Sequence, residues 1–185
     1  MRRAFAVWAL AAVGVCMLHA PAFGQISAKG TISSQQTGPN TYKYSLTLTD
    51  TGATPIGTFW FGWIPAYDLL PTAPLTITSP AGWTGVDAPD SFGVASAQWV
   101  NTTTPLQPGQ TISGFAFTST DSPAVIGGTS NFFGLPVEQS YVYAGAPEIG
   151  AAGVFVPATV VSPEPASLAL LPLALGGLLV RRKRK

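Results

Sequence analysis

The chain has 185 residues, 46% hydrophobic and only 9% charged, with one Cys, one His and a formal net charge of +1, whereas ordinary soluble domains carry about 25% charged residues. So sparse an ionisable complement excludes most acid–base chemistry. The 20 Gly and 17 Pro stay below the roughly 25–30% at which unperiodic disorder is the default, so a packed, turn-rich domain is expected.

At the N-terminus, Arg2 and Arg3 precede an unbroken apolar run over residues 4–18, and Ala22-Phe23-Gly24 places small residues at the −3 and −1 positions of a cleavage site. This is the three-part order of a secretory signal peptide spanning residues 1–24, with Ala22 and Gly24 as the handles for signal peptidase. The apolar run is shorter than the roughly 20 residues a retained membrane anchor needs. Lipid attachment at Cys16 is disfavoured by the bulky Val15 before it. Cleavage after Gly24 removes both Cys16 and His19, which excludes disulfides, Cys–His dyads, Ser-His-Asp triads and Cys/His zinc sites from the mature chain. No catalytic residue, cofactor or metal is expected.

Residues 25–161 have the size of one domain. They carry two lysines, Lys29 and Lys43, against seven acids, Asp50, Asp68, Asp87, Asp90, Asp121, Glu138 and Glu148, formally −5. An acidic body without a basic stripe does not attract phosphates, so nucleic acid is excluded as a partner.

Strands are expected over residues 25–34, 42–49, 56–64, 75–78, 82–86, 93–101, 111–118, 141–144 and 152–159. The clearest has Tyr42, Tyr44, Leu46 and Leu48 alternating with Lys43, Ser45, Thr47 and Thr49. Turn signals separate the strands at Asp50-Thr51-Gly52, Pro71-Thr72-Ala73-Pro74, Ser79-Pro80-Ala81-Gly82, Leu106-Gln107-Pro108-Gly109 and Asp121-Ser122-Pro123. Residues 120–134 read as a long loop. Many short strands with turns about every 8–12 residues indicate an all-β fold, a single antiparallel β-sandwich of immunoglobulin-like or jelly-roll type. Periodicity leaves closure into a barrel open. The Leu106-to-Gly109 turn before an alternating Thr/Ile/Phe strand resembles bacterial immunoglobulin-like modules.

Few side chains in this body suggest chemistry. Asp87 and Asp90 are the nearest carboxylate pair, but such spacing in a loop more often marks turn chemistry than a glycosidase couple. With Asp68 or Asp121 the same loop could offer oxygens to calcium, without the ligand density of a recognised calcium loop. Trp60, Trp63, Trp83, Trp99, Tyr67, Tyr141 and Tyr143 are many large rings for one domain. Most fall on expected core faces, with an exposed row that stacks on sugars as the alternative. In the 56–64 strand Phe59, Phe61 and Trp63 share one face and Trp60 takes the other, which makes Trp60 the candidate glycan contact. Asn101-Thr102-Thr103 is a glycosylation-type sequon that marks a surface loop.

Residues 162–185 form one unit: Ser162-Pro163-Glu164-Pro165-Ala166-Ser167, a Leu-rich segment over about 166–180, and the basic tail 181–185. As a helix, 166–180 measures about 22 Å, short against a hydrocarbon core of about 30 Å. The basic tail would stay cytoplasmic, with everything before the motif outside the cytoplasm. The unit resembles the C-terminal sorting signal of bacterial PEP-CTERM proteins, with Ser162 standing where the usual pattern has Val. The resemblance implies recognition of Pro163, Glu164 and Pro165 by an exosortase. It also implies transient anchoring in the inner membrane with the body in the periplasm, then delivery to the cell surface or extracellular matrix, often beside exopolysaccharide in a biofilm. The expected function is thus that of an exported, non-enzymatic surface or matrix protein. A carbohydrate-binding module using exposed Trp and Tyr, or a simple membrane-anchored envelope protein, are the alternatives.

Overall fold

The computed structural model describes residues 25–89, 93–101, 103–145 and 155–162. Ala22 and Gly24, the motif Pro163, Glu164 and Pro165, segment 166–180 and the basic tail 181–185 lie outside the described residues, as do Asp90 and Glu148.

Alternation builds the first hairpin as expected. Strands β1 (Ala28–Gly38) and β2 (Thr41–Asp50) pair antiparallel, with Tyr44, Leu46 and Leu48 buried and Lys43 and Ser45 exposed. Pro39 and Asn40 make the turn, Asn40 taking the left-handed conformation at φ 54° that its short amide tolerates. Strand β1 runs four residues past the expected end at Ser34, because the polar stretch 35–38 pairs with β2 while staying outside the core.

The remaining elements are β3 (Thr58–Phe61), β4 (Trp63–Ile64), β5 (Tyr67–Asp68), β6 (Thr76–Thr78), β7 (Thr84–Pro89), β8 (Ala95–Val100) and β9 (Thr111–Ser119). A single helical turn α1 (Pro123–Ile126) follows, then β10 (Ser140–Tyr143) and β11 (Val156–Val161). The turn α1 falls within the region expected to be loop, and Pro123 at its start suits the first helical position. Nine strands form one sheet in the order β6-β9-β2-β1-β11-β10-β3-β8-β7, and β4 pairs with β5 apart from it. The large sheet folds over so that β9 faces β3. The Phe59 and Phe115 rings meet edge to face at 5.4 Å, and Phe61 and Phe117 lie tilted at 37° with centroids 5.4 Å apart. The two ends of the sheet approach where the Trp99 indole N–H on β8 donates to the Thr78 carbonyl on β6 at 2.9 Å, but the end strands β6 and β7 are not ladder neighbours. The fold is therefore a β-sandwich rather than a closed barrel.

Three details depart from simple alternation. The sandwich is not wholly antiparallel, since β11 runs parallel to β1 and antiparallel to β10. No hairpin ties β11 to β1, so no turn dictates their direction. In β9, Gly114 at φ 101° is the extra residue of a bulge opposite the step from Leu46 to Thr47, which lets Ile112 and Phe115 both pack toward the core despite opposite parity. Finally, Gly62 at φ 66° breaks the expected 56–64 strand into β3 and β4. A Cβ there would stand 2.6 Å from the Leu70 Cγ, so both backbone and packing demand glycine.

Candidate functional site

Trp60 was expected to face away from Phe59 and Phe61, and it does, yet the structure overturns its exposure: the residue is only 1% accessible. The break at Gly62 turns Trp63 over to the Trp60 side, contrary to the expectation that Trp63 shares the Phe59 face. The two indoles stack at 4.4 Å and 20°. Phe155 and Tyr141 pack around Trp63 at 4.6 and 6.0 Å, and Tyr143 meets Phe155 at 5.1 Å. The outer face of the β10-β3-β8-β7 layer thus carries its own small core, and the indole expected to meet sugar is sealed inside it. Trp60 Nε1 and Ser96 Oγ, on the neighbouring β8, are buried with no hydrogen-bond partner among the described residues.

Of the other rings singled out in the sequence, Trp83 and Trp99 are buried, and Tyr141 and Tyr143 are half-buried. Tyr67 is the exposed one, at 47%. It stands on the β4–β5 hairpin, where Ile64 pairs with Tyr67 across the turn Pro65-Ala66, with Ala66 held at φ 81°. Its ring lies 4.7 Å from that of Phe133, which lies 6.3 Å from Phe132, itself 62% exposed.

The two phenylalanines sit at the tip of a braced loop. Ser130 N–H donates to the Leu135 carbonyl at 2.7 Å, Gly134 N–H to the Ser130 carbonyl at 3.0 Å and Val137 N–H to the Gly128 carbonyl at 3.0 Å. Buried Ser130 and Val137 anchor the loop base. Three large rings are therefore gathered at one end of the sandwich on two hydrogen-bonded turns. Lys29 and Lys43 lie on β1 and β2 in the opposite layer. Phe132 and Phe133 escape a periodicity reading because they fall in the loop 120–134. The usable signal was two adjacent aromatics amid Gly, Thr, Ser and Asn, with no strand to bury them.

Among the described residues the carboxylates singled out lie on separate elements. Asp68 is on β5, Asp87 is exposed on β7 rather than in the expected turn, and Asp121 follows β9. The Asp121 carboxylate accepts from Thr72 N–H at 3.2 Å and Thr72 Oγ1 at 2.9 Å, which binds two loops together. Among the described residues no group of three or more His, Cys, Asp or Glu could hold a metal ion. Buried Tyr44 donates its hydroxyl to the Asp121 carbonyl at 2.6 Å. Burial, then the nearby Asp121 and Tyr42 charges, push the Tyr44 phenol well above its usual range, so it stays a neutral donor.

The sequon does sit at a surface turn, with Thr103 and Thr104 exposed, but Asn101 itself is only 3% exposed. Its Oδ1 accepts from the Thr103 and Thr104 N–H groups at 3.0 and 2.8 Å, so the amide is spent on shaping the turn. It lines an open groove of about 410 Å³ with Trp83, Thr104 and Gln110 at the other end of β3. Among the described residues no helix is long and apolar enough to cross a membrane.

No protein-family model matches the chain, and no curated protein matches it. Among solved structures it is similar to an uncharacterized protein from Nocardia farcinica with an immunoglobulin-like fold. That similarity has 13% identity, covers 69% of this chain and 82% of that one, and gives a TM-score of 0.39. It is also similar to the chitin-binding domain of Chi18aC from Streptomyces coelicolor, at 22% identity over 50% of this chain and 78% of that one, TM-score 0.35. A third is the CBM3 of Hungateiclostridium clariflavum, at 8% identity over 66% of this chain and 96% of that one, TM-score 0.39. These are partial overlaps of strand layout, and the ligands named for those proteins belong to those proteins.

Proposed function

We propose that this is an exported, non-enzymatic protein of the cell surface or extracellular matrix whose sandwich binds neutral polysaccharide through Tyr67, Phe133 and Phe132. The exposed ring strip carries the reading. Contiguous exposed apolar surface commonly marks an interaction site. Rings without cations beside them suit an uncharged partner that has apolar faces and hydroxyl edges, as pyranose units do. The test is electrophoresis of the 25–161 fragment through gels containing soluble polysaccharide. Retardation is expected, and Phe132→Ala should weaken it about tenfold.

Export and sorting rest on the terminal residues: Arg2, Arg3, Ala22 and Gly24 at one end, and Pro163, Glu164, Pro165 and the tail 181–185 at the other. Flanking prolines favour an extended segment that displays the Glu164 carboxylate to an exosortase. Glu164→Ala should leave folding intact and block trimming, which intact mass of the mature chain reads directly. A chain in the membrane fraction that still ends at Lys185 would instead be simply membrane-anchored.

A further inference from the structure

Resting on that reading of the strip, we infer that its ligand is a single, solvated, twisting polysaccharide chain and not the flat face of a crystalline polymer. The reason is the angle between the rings. Tyr67 and Phe133 are inclined at 46°, and Phe133 and Phe132 at 44°. A planar lattice lies flush on several rings together only when they are close to coplanar. Here it can lie flush on one ring at a time. A single chain rotates about each glycosidic bond, so successive sugar units can meet successive facets.

The backbone that carries the rings is braced: the bonds from Ser130 to Leu135 and from Gly134 to Ser130 hold the loop bearing Phe132 and Phe133, and a two-residue turn holds Tyr67. The short separations of 4.7 and 6.3 Å make the strip a site for a few sugar units within a longer chain. The acidic balance of the body, seven acids against two lysines, disfavours an anionic polysaccharide.

The experiment pairs one chemistry in two physical states. The full chain and the 25–161 fragment are tested against soluble hydroxyethyl cellulose, glycol chitin and galactomannan in gels, against the producing cells' own neutral polysaccharide, and against microcrystalline cellulose and chitin by pull-down. Retardation by at least one soluble chain is expected, with little retention on crystals. Tyr67→Ala and Phe132→Ala should each weaken it about tenfold, the scale of one lost stacking contact. Stronger retention on crystals than on the matching soluble chain, lost in the same variants, overturns the single-chain inference and leaves the strip as the binding site. Absence of retardation by every soluble chain and of retention on crystals overturns both. So does a Phe132-dependent dimer in sedimentation with no effect of Phe132→Ala on glycan, since the strip is then a contact between two copies.

Discussion

Two groups of aromatic rings sit outside the main core, and they have met opposite fates. The Trp60–Trp63 pair lies on a strand face, where the outer surface of a sheet ordinarily meets water, and is sealed by Phe155 and Tyr141. The Tyr67, Phe133 and Phe132 group lies on turns and stays open. Strand parity therefore tells which way a ring points, but not whether something comes to cover it. What covers Trp60 is a ring three residues on, redirected by Gly62, and another from just before β11.

The largest expected effect breaks this contrast on its buried side. Trp60→Ala should cost about 3–5 kcal/mol, as expected for removing a buried ring that leaves a cavity, read as the urea midpoint of the 25–161 fragment. Trp60→Phe should stay within about 1 kcal/mol of the parent, because the lost area is offset by removing an indole N–H that has no partner among the described residues. On the open side the pattern inverts. Phe132→Ala should change stability by no more than about 0.5 kcal/mol while weakening polysaccharide retention by about 1–3 kcal/mol, on the scale of one stacking contact. A stable Trp60→Ala protein that no longer binds glycan would reverse the two roles.

Much of the sandwich was legible because its strands obey period two. Tyr44, Leu46 and Leu48 on one face of β2, and Phe59 and Phe61 on one face of β3, enter the core as their alternation demands. The turn from Gln107 to Gln110, closed by a 3.0 Å bond, sits where Pro108-Gly109 announces it. What was illegible depends on non-local facts. The parallel entry of β11 beside β1 joins strands more than a hundred residues apart in sequence. The Gly62 and Gly114 breaks turn on backbone geometry that their sequence neighbours do not dictate. The exposed strip combines a hairpin and a loop some sixty residues apart, so no window of the sequence contains it.

Acid titration sharpens the comparison at the far end of the sandwich, away from the strip. The Asp50 carboxyl is buried at the end of β2. Gly52 N–H donates to Oδ1 at 2.8 Å, and Oδ2 has no partner among the described residues. Burial raises its pKa above the ordinary 3.8, a shift the Gly52 bond only partly opposes. A carboxyl raised on folding binds its proton more tightly in the native state, so its contribution favours folding at low pH. It fades as pH climbs from near the unfolded value through the raised native one. The urea midpoint should therefore carry a component that falls with rising pH across that window, and Asp50→Asn should remove the component. A pH profile identical in the variant would show that Asp50 is not desolvated as its burial implies.

The smallest expected effect concerns how the open side is held up. Ala66 adopts φ 81°, a conformation that crowds a Cβ and costs about 1–2 kcal/mol in a non-glycine residue. Glycine would relieve the crowding, but it adds freedom to the unfolded chain worth about 0.4–1 kcal/mol. Ala66→Gly should accordingly raise stability by between about zero and about 1.6 kcal/mol. Its value lies in separating two explanations for the strained alanine. If Ala66 merely closes a hairpin, the glycine variant retains polysaccharide as the parent does. If the alanine stiffens the turn so that Tyr67 keeps its inclination to Phe133, the variant gains stability and still loses affinity. Measured together, the urea midpoint and gel retardation of this one variant distinguish a fixed strip from rings that merely happen to be exposed.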